Sequence, residues 1–329
     1  MPRAKITEVA REAGVSLSTV SRVMNGNPTV DAVMAERVRD VAARLGYSAN
    51  PLARSLVLGR TQTISVVIPD LANPIFQAIL RGLSHAAAKD GYHVLISDTE
   101  ERMQDEQEIA VTTRRRTDGV ILCAPRLPQE QLSALLHSVG PVVVINRRPQ
   151  SGIPTVSADY GVATTGLITH LQSLGHRRLA FLAGAVHSAS GEARRHAIAA
   201  ACAADPGLEV IEIGVGVDFD SGAAAADAVL DSGATAALAF NDLVAMGLLS
   251  AVTGRGVRVP EDLSIAGFDD IPFSAYTSPP LTTASVPAAD LGERAWAAMQ
   301  ALLDGGAPTP DVTLAPQLVV RASTGPAAH

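Results

Sequence analysis

From residue 62 onward, short apolar runs of strand length alternate with stretches of helical periodicity, and this alternation limits the fold more than any other feature. The runs are ISVVIP (64–69), HVLIS (93–97), GVILCA (119–124), PVVVIN (141–146), LAFLAG (179–184), AALAF (236–240) and LSIAGF (263–268). Helical patterns fill the intervals at 74–89, 104–116, 161–174, 191–203 and 241–252. Continuous apolar strands need cover on both faces, so the pattern predicts parallel sheets with right-handed crossovers and helices on either side. The stretch 146–159 is rich in Pro, Gly and Arg, which places a domain crossing near Asp159. Two lobes follow, with a cleft at the carboxyl ends of their strands. No internal repeat stands out.

The first 60 residues read differently. Residues 6–25 predict two short helices joined by a tight turn, with Ile6, Val9, Ala10 and Ala13 on one face. Gly14 suits a sharp exit because it enters left-handed backbone without a Cβ clash. Val15 plugs the turn, and the Ser16 hydroxyl can cap the second helix. Val20 and Val23 face inward, leaving Leu17, Ser18, Ser21 and Arg22 outside. A helix with so small, polar and basic an outer face can lie in a DNA major groove. Beyond Asn27-Pro28, Asp31 caps a third helix that turns Val30, Met34, Val38, Val41 and Leu45 toward the first two and ends at Gly46. In the stretch 50–58, Asn50 and Pro51 are a helix start, yet Leu52, Leu56 and Leu58 have no core to enter. So short a helix needs a partner chain or DNA to order it.

Charge divides at the same place. Residues 1–60 hold nine Lys/Arg against five Asp/Glu, whereas the remainder holds 17 against 28 within a chain of net charge −7. A basic head on an acidic body suits a head that touches phosphates and a body that does not. Cys123 and Cys202 each sit in an apolar run, which excludes a disulfide framework and a Cys-rich zinc site and points to buried free thiols in a reducing compartment. No leader-like segment and no apolar stretch of membrane-spanning length occurs, so a cytoplasmic location is expected.

Catalytic signatures are missing. There is no phosphate-binding GxxxxGKS/T loop, Gly214-Val215-Gly216 lacks the third glycine of a dinucleotide site, and neither GxSxG nor HExxH occurs. His170 and His176 do not share a helical face, and the adjacent carboxylates of Asp269 and Asp270 diverge unless the backbone bends. No catalytic residue, cofactor or metal site is expected.

Several motifs in order resemble the LacI/GalR family of transcriptional repressors: VAREAGVSLSTVSRVMN at the front, then GYSANPLARSL, NPIF at 73–76, DGVIL at 118–122, LGHRRLAFLAG at 174–184, NDLVAMG at 241–247 and GFDDIPFSAYTSPPLTT at 267–283. The resemblance runs from Ile6 to about Gly325. It implies a helix-turn-helix head (1–49), a hinge helix (50–60) and a periplasmic-binding-protein-like body (61–329) of two doubly wound parallel-sheet lobes. The lobes are expected at about 61–159 with 287–316, and 160–286 with 317–329. It also implies a homodimer on double-stranded, pseudo-palindromic operator DNA, controlled by a small effector in the cleft.

Carried over by position, Leu17, Ser18 and Arg22 read bases, Arg22 being suited to guanine O6 and N7. Thr19, Ser21 and Asn25 hold phosphates and register, and Thr7 is a further DNA-binding position. In the hinge, Asn50 and Ala53 face DNA and Leu56 matches the family's minor-groove wedge. The effector positions are Phe76, Asn146, Asp159, Ser190, Arg194, Asn241 and Asp269, with Ile75, Ser188 and Leu238 lining the pocket, while Asp270 reads as a loop cap. Many sugar-responsive relatives have Asp where this chain has Asn146. The following Arg147-Arg148 reads as a solvated loop, with an anionic effector as its alternative. Aromatics are only 3 % of the chain, which disfavours a purine site and leaves a neutral sugar or polyol as the expected ligand. The end RASTGPAAH offers no heptad helix for a tetramer. Rival readings are a solute-binding transport module, which has no use for the basic head, and a sugar-modifying enzyme, whose motifs are absent.

Overall fold

The computed structural model describes residues 4–24, 29–47 and 59–328, and the chain divides into two compact units, Met1–Gln62 and Thr63–His329. In the first, helices α1 (Ile6–Ala13), α2 (Leu17–Met24) and α3 (Ala32–Arg44) enclose Val9, Ala10, Ala13, Val20, Val23, Ala35, Val38, Val41 and Ala42. Gly14 leaves α1 at φ +64°, and the Ser16 hydroxyl accepts the Thr19 N–H at 3.1 Å, as a capping serine should. Asp31 caps α3 by accepting from Met34 N at 3.0 Å. The expected inner face of α3 is corrected at one position. Met34 is exposed, and Ala35 and Ala42 lie inside, because small side chains let α3 approach the other two helices closely. Asn25, Asn27-Pro28 and the segment 50–58 lie outside the described residues.

The second unit contains two six-stranded sheets. The first is built from β1 (Thr63–Ile68), β2 (His93–Asp98), β3 (Gly119–Cys123), β4 (Val142–Ile145), β5 (Thr155–Ala158) and β11 (Val312–Leu314), in the order β11-β5-β4-β3-β1-β2. The other takes β6 (Arg178–Ala183), β7 (Glu209–Gly214), β8 (Ala236–Ala239), β9 (Ser264–Asp269), β10 (Thr282–Ser285) and β12 (Gln317–Val319), in the order β12-β10-β9-β8-β6-β7. Replacing β1–β5 by β6–β10 and β11 by β12 turns one order into the other, so a repeat invisible in the residues is present in the topology. Pairing is parallel throughout except where β12 runs against β10.

Nine further helices connect the strands: α4 (Pro74–Lys89), α5 (Met103–Arg114), α6 (Gln129–Ser138), α7 (Tyr160–Ser173), α8 (Ala189–Ala204), α9 (Phe219–Ala224), α10 (Ala226–Asp231), α11 (Asp242–Gly254) and α12 (Ala288–Leu303), this count covering the described residues. The chain passes between the sheets after β5, after β10 and between β11 and β12. Thus α7 packs on β10 and β12, whereas α12 returns to β3, β4 and β5. Two glycine-mediated helix contacts tighten the unit. A Cβ at Gly82 of α4 would strike the Ala289 carbonyl of α12, and one at Gly292 of α12 would strike that of Ile79. Gly222 of α9 and Gly247 of α11 stand in the same relation to Val244 and Phe219. Of the two free cysteines, Cys123 is buried in β3, where burial pushes its thiol up to about 12. Cys202 is only half-buried, in the last, partly exposed turn of α8; the expectation of two buried thiols is corrected there.

Candidate functional site

On the head, α2 buries Val20 and Val23 and turns Leu17, Ser18 and Arg22 outward, with Leu17 49 % exposed. Ser16 Oγ lies 2.8 Å from both Ser18 Oγ and Thr19 Oγ1, so three hydroxyls cluster at the amino end of α2. Thr7 on α1 is exposed and Ser21 half-buried. Asn25, Asn50, Ala53 and Leu56 are outside the described residues.

In the body, a cleft forms where the carboxyl ends of the strands of both sheets meet. Phe76, Asn146, Ser190, Arg194, Asn241 and Asp269 all line it, together with Ile75. Asp159 does not. Its carboxylate accepts the Val162 N–H at 2.9 Å and caps α7, and the next residue, Tyr160, lines the cleft instead. Ser188 is likewise used as a cap, accepting from Gly191 N at 3.2 Å, and Leu238 is buried inside β8. The wall also includes Asn73, the first residue of the NPIF motif, and Glu101, Ala124, Arg126, Val217 and Phe240, which the sequence motifs do not name as site positions. Arg126 could have been suspected, since a lone arginine just beyond an apolar β-run falls at a strand's carboxyl end.

Arg194 dominates the electrostatics. Its guanidinium carbon lies 4.6, 4.7 and 4.2 Å from the ring centroids of Tyr160, Phe240 and Phe268, a cage of π-faces around a cation. Among the described residues no carboxylate forms an ion pair with it, and Nε and Nη1 are buried without a hydrogen-bond partner in the chain. Burial pushes its pKa down to about 10, against the opposing pull of Tyr160 and Asp269. Asp269, held at φ +103°, is pushed up to about 6 by burial, with Arg194 drawing it back. Burial also raises the Tyr160 hydroxyl well above the ordinary tyrosine range.

The two amides on the wall are engaged by the fold. Asn146, at φ +53°, donates to Tyr160 Oη at 3.2 Å and accepts from Ala158 N at 3.0 Å. Asn241 accepts from Val244 N at 2.9 Å, capping α11, and donates to the Val217 carbonyl at 2.8 Å. On the first-sheet side, Arg126 grips Glu101 through Nε and Nη2, each at 2.8 Å. Its own N–H donates to buried Glu106, whose carboxyl is raised mainly by burial.

Of the two arginines that follow Asn146, Arg148 is exposed as a solvated loop requires, whereas Arg147 is not. Arg147 is buried and donates to the carbonyls of Pro125, Leu127 and His187, and Arg148 pairs with Glu192 at 2.6 Å. A buried guanidinium must fill its donors, and backbone carbonyls satisfy it here. Asp270 turns from the cleft to pair with Arg321 at 2.6 Å. The cleft measures about 40 Å³, well under the roughly 300–1,000 Å³ of a loaded small-molecule site. Admitting a ligand therefore requires the walls to part. Among the described residues no helix is long and apolar enough to cross a membrane.

Residues 5–50 match the family model described as bacterial regulatory proteins, lacI family, and residues 168–324 match that of a periplasmic binding protein-like domain. The HTH-type transcriptional repressor CytR of Escherichia coli (strain K12) is 33 % identical over 308 residues, 92 % of this chain and 89 % of that one. Catabolite control protein A of Priestia megaterium is 32 % identical over 294 residues, 87 % of this chain and 89 % of that one. Among solved structures, the lac repressor dimer bound to operator and the anti-inducer ONPF matches with a TM-score of 0.90 and 27 % identity, over 98 % of this chain and 99 % of that one. A helix-turn-helix head carried in one chain with a two-sheet, binding-protein-like body defines a DNA-binding transcriptional regulator rather than an enzyme. The chain belongs to the lacI family of bacterial regulatory proteins, as a DNA-binding transcriptional repressor.

Proposed function

We propose that this repressor binds a pseudo-palindromic operator as a homodimer and that a neutral sugar or polyol in the body's cleft controls its hold on DNA. The observation that carries the effector reading is Arg194, a buried guanidinium with two donors that no chain atom accepts, in a cleft shared by both sheets. Vicinal hydroxyls supply acceptors for those donors, and Asp269 beside them accepts hydroxyl protons. The aromatic ring of Phe76 offers an apolar face for a sugar ring. Neither Arg147, held by three backbone carbonyls, nor the exposed Arg148 lines the cleft, so the sequence hint of an anionic effector loses its support.

At the other end of the chain, Leu17, Ser18 and Arg22 read bases, Thr19, Ser21 and Asn25 fix register on phosphates, Thr7, Asn50 and Ala53 are further DNA contacts, and Leu56 of a 50–60 hinge wedges into the minor groove. The exposed outer face of α2 supports the first of these assignments. The lac repressor relative, solved as a dimer on operator with an anti-inducer, supports the dimer and the coupling of ligand to DNA. The head spans 1–49, and the lobes span 61–159 with 287–316 and 160–286 with 317–329. Ligand shifts operator affinity by its differential affinity for the parted and closed cleft.

The test is a thermal-shift panel of the full-length protein against sugars, polyols, sugar phosphates, purines and nucleosides, followed by operator binding with any hit. Ligand at about 100 times its dissociation constant stabilises by roughly 2.7 kcal/mol, a shift of several degrees. A neutral sugar or polyol that stabilises the body and changes operator affinity is the expected result. Stabilisation by purines or phosphates alone would overturn the ligand class.

A further inference from the structure

We propose that Glu101 is a specificity gate in this cleft: it fills the fork of Arg126, so that the cleft rejects anionic ligands and accepts uncharged hydroxylated ones. The inference rests on the cleft being the effector site. Four charged side chains line it, Glu101 and Arg126 on the first-sheet side, Arg194 and Asp269 on the other. The Arg126 guanidinium is 8 % exposed and offers Nε and Nη2 in the planar geometry that binds carboxylate, phosphate or sulfate in two parallel bonds. Glu101 already occupies that seat, at 2.8 Å on both nitrogens, while Nη1 donates to the Ala124 carbonyl at 3.1 Å.

The backbone is bent to put it there. Glu101 stands at φ +55°, its N–H bonded to the Pro69 carbonyl at 2.6 Å, and Ala124 opposite stands at φ +46°. Non-glycine residues held in this region are costly and persist where surrounding structure fixes them. An incoming anion meets the Glu101 carboxylate before it meets Arg126. A hydroxyl can instead use the remaining lone pairs of Glu101 and the remaining N–H of Arg126 without displacing either. Repulsion of the wrong ligand supplies the selectivity. On the opposite wall Asp269 balances Arg194, so opening the gate creates a local excess of positive charge.

The experiment uses the full-length protein and inorganic sulfate as probe, with sodium chloride at equal ionic strength as control. Wild type should show no sulfate-specific change in melting temperature. Glu101→Gln should show a saturable rise of several degrees, confirmed by calorimetric titration, and Glu101→Ser should behave in the same way if the amide itself perturbs folding. Glu101→Gln combined with Arg126→Met should lose the response, because the seat is gone. Sulfate stabilising wild type as strongly as Glu101→Gln, or stabilising neither Glu101 variant, would overturn the gate. Failure of the effector reading looks different: no neutral sugar stabilises wild type, while the sulfate contrast between wild type and Glu101→Gln persists.

Discussion

The Arg194 guanidinium carbon lies 4.2 Å from the centroid of Phe268, nearer than to Tyr160 or Phe240, and two of its nitrogens have no acceptor in the chain. A buried cation so placed is a poor stabiliser, and under the proposed function it is a ligand contact. Replacing it with a flexible apolar side chain removes a desolvated charge while keeping contact with the rings. Arg194→Met should therefore melt at or above the wild-type temperature and lose at least about 100-fold in affinity for the stabilising sugar, since each bond to a charged donor contributes about 1.5–3 kcal/mol. Calorimetric titration alongside thermal melts separates the two effects, and a variant that loses stability but keeps affinity would make Arg194 structural.

Much of this arrangement was legible in the chain. The seven strands inferred are the apolar runs, and those buried on both faces write that fact into consecutive residues. The five missed strands carry no such record: Thr155–Ala158 and Thr282–Ser285 are short and partly polar, Glu209–Gly214 is an edge strand interrupted by Glu209 and Glu212, and the last two have three residues each. Six of seven effector positions reach the cleft because motif residues at strand ends inherit the fold's geometry. Asp159 is not on the wall: its carboxylate caps α7, and the neighbouring Tyr160 takes the place on the wall. Glu101 and Arg126 could not be paired from sequence, since the contact joins loops after different strands and depends on backbone at positive φ.

A pH dependence follows from Asp242, which is fully buried and accepts from Ile271 N at 2.9 Å, Ser274 Oγ at 2.5 Å and Thr283 Oγ1 at 2.6 Å. Burial, reinforced by the charge of Asp269, pushes it up to about 8 against those three hydrogen bonds. The folded chain thus keeps a proton that the unfolded chain releases near pH 4, so this group's contribution to stability falls as pH rises from about 4 to about 8 and is flat above. Asp242→Asn removes the titration. Its melting temperature relative to wild type should climb across that window, and a difference that does not change with pH would show that the carboxyl is ionised in the fold throughout.

Helix packing in the body depends on glycine. At Gly82 and Gly292 the backbones of α4 and α12 are in contact, and a methyl group at either would enter the other helix's carbonyl. Gly82→Ala and Gly292→Ala should each cost about 1–3 kcal/mol or more, as overpacking does, and lower the melting temperature of the body by several degrees. Gly166→Ala on α7, where nothing lies within 4 Å, should be neutral or slightly stabilising. Thermal denaturation of the three variants checks the contrast, and equal losses in all three would point to backbone freedom rather than close approach.

In the head, Gly14 poses the opposite case. Nothing lies within 4 Å of an added Cβ, yet its φ of +64° is the left-handed geometry that L side chains disfavour. Gly14→Ala should therefore cost about 1–2 kcal/mol through the backbone alone, a large share of what a three-helix unit can hold. Asn tolerates that conformation better, so Gly14→Asn should recover part of the loss. Ser16→Ala should cost a comparable ~0.5–2 kcal/mol by removing the cap on Thr19 N. Hydrogen exchange on the full-length protein reads these effects locally: amides of α1–α3 should exchange faster in the order Gly14→Ala, Gly14→Asn, wild type, while those of β3 and β9 stay protected. Faster exchange in the sheets as well would mean that the head and body do not unfold independently, and that operator defects in such variants cannot be assigned to the reading helix.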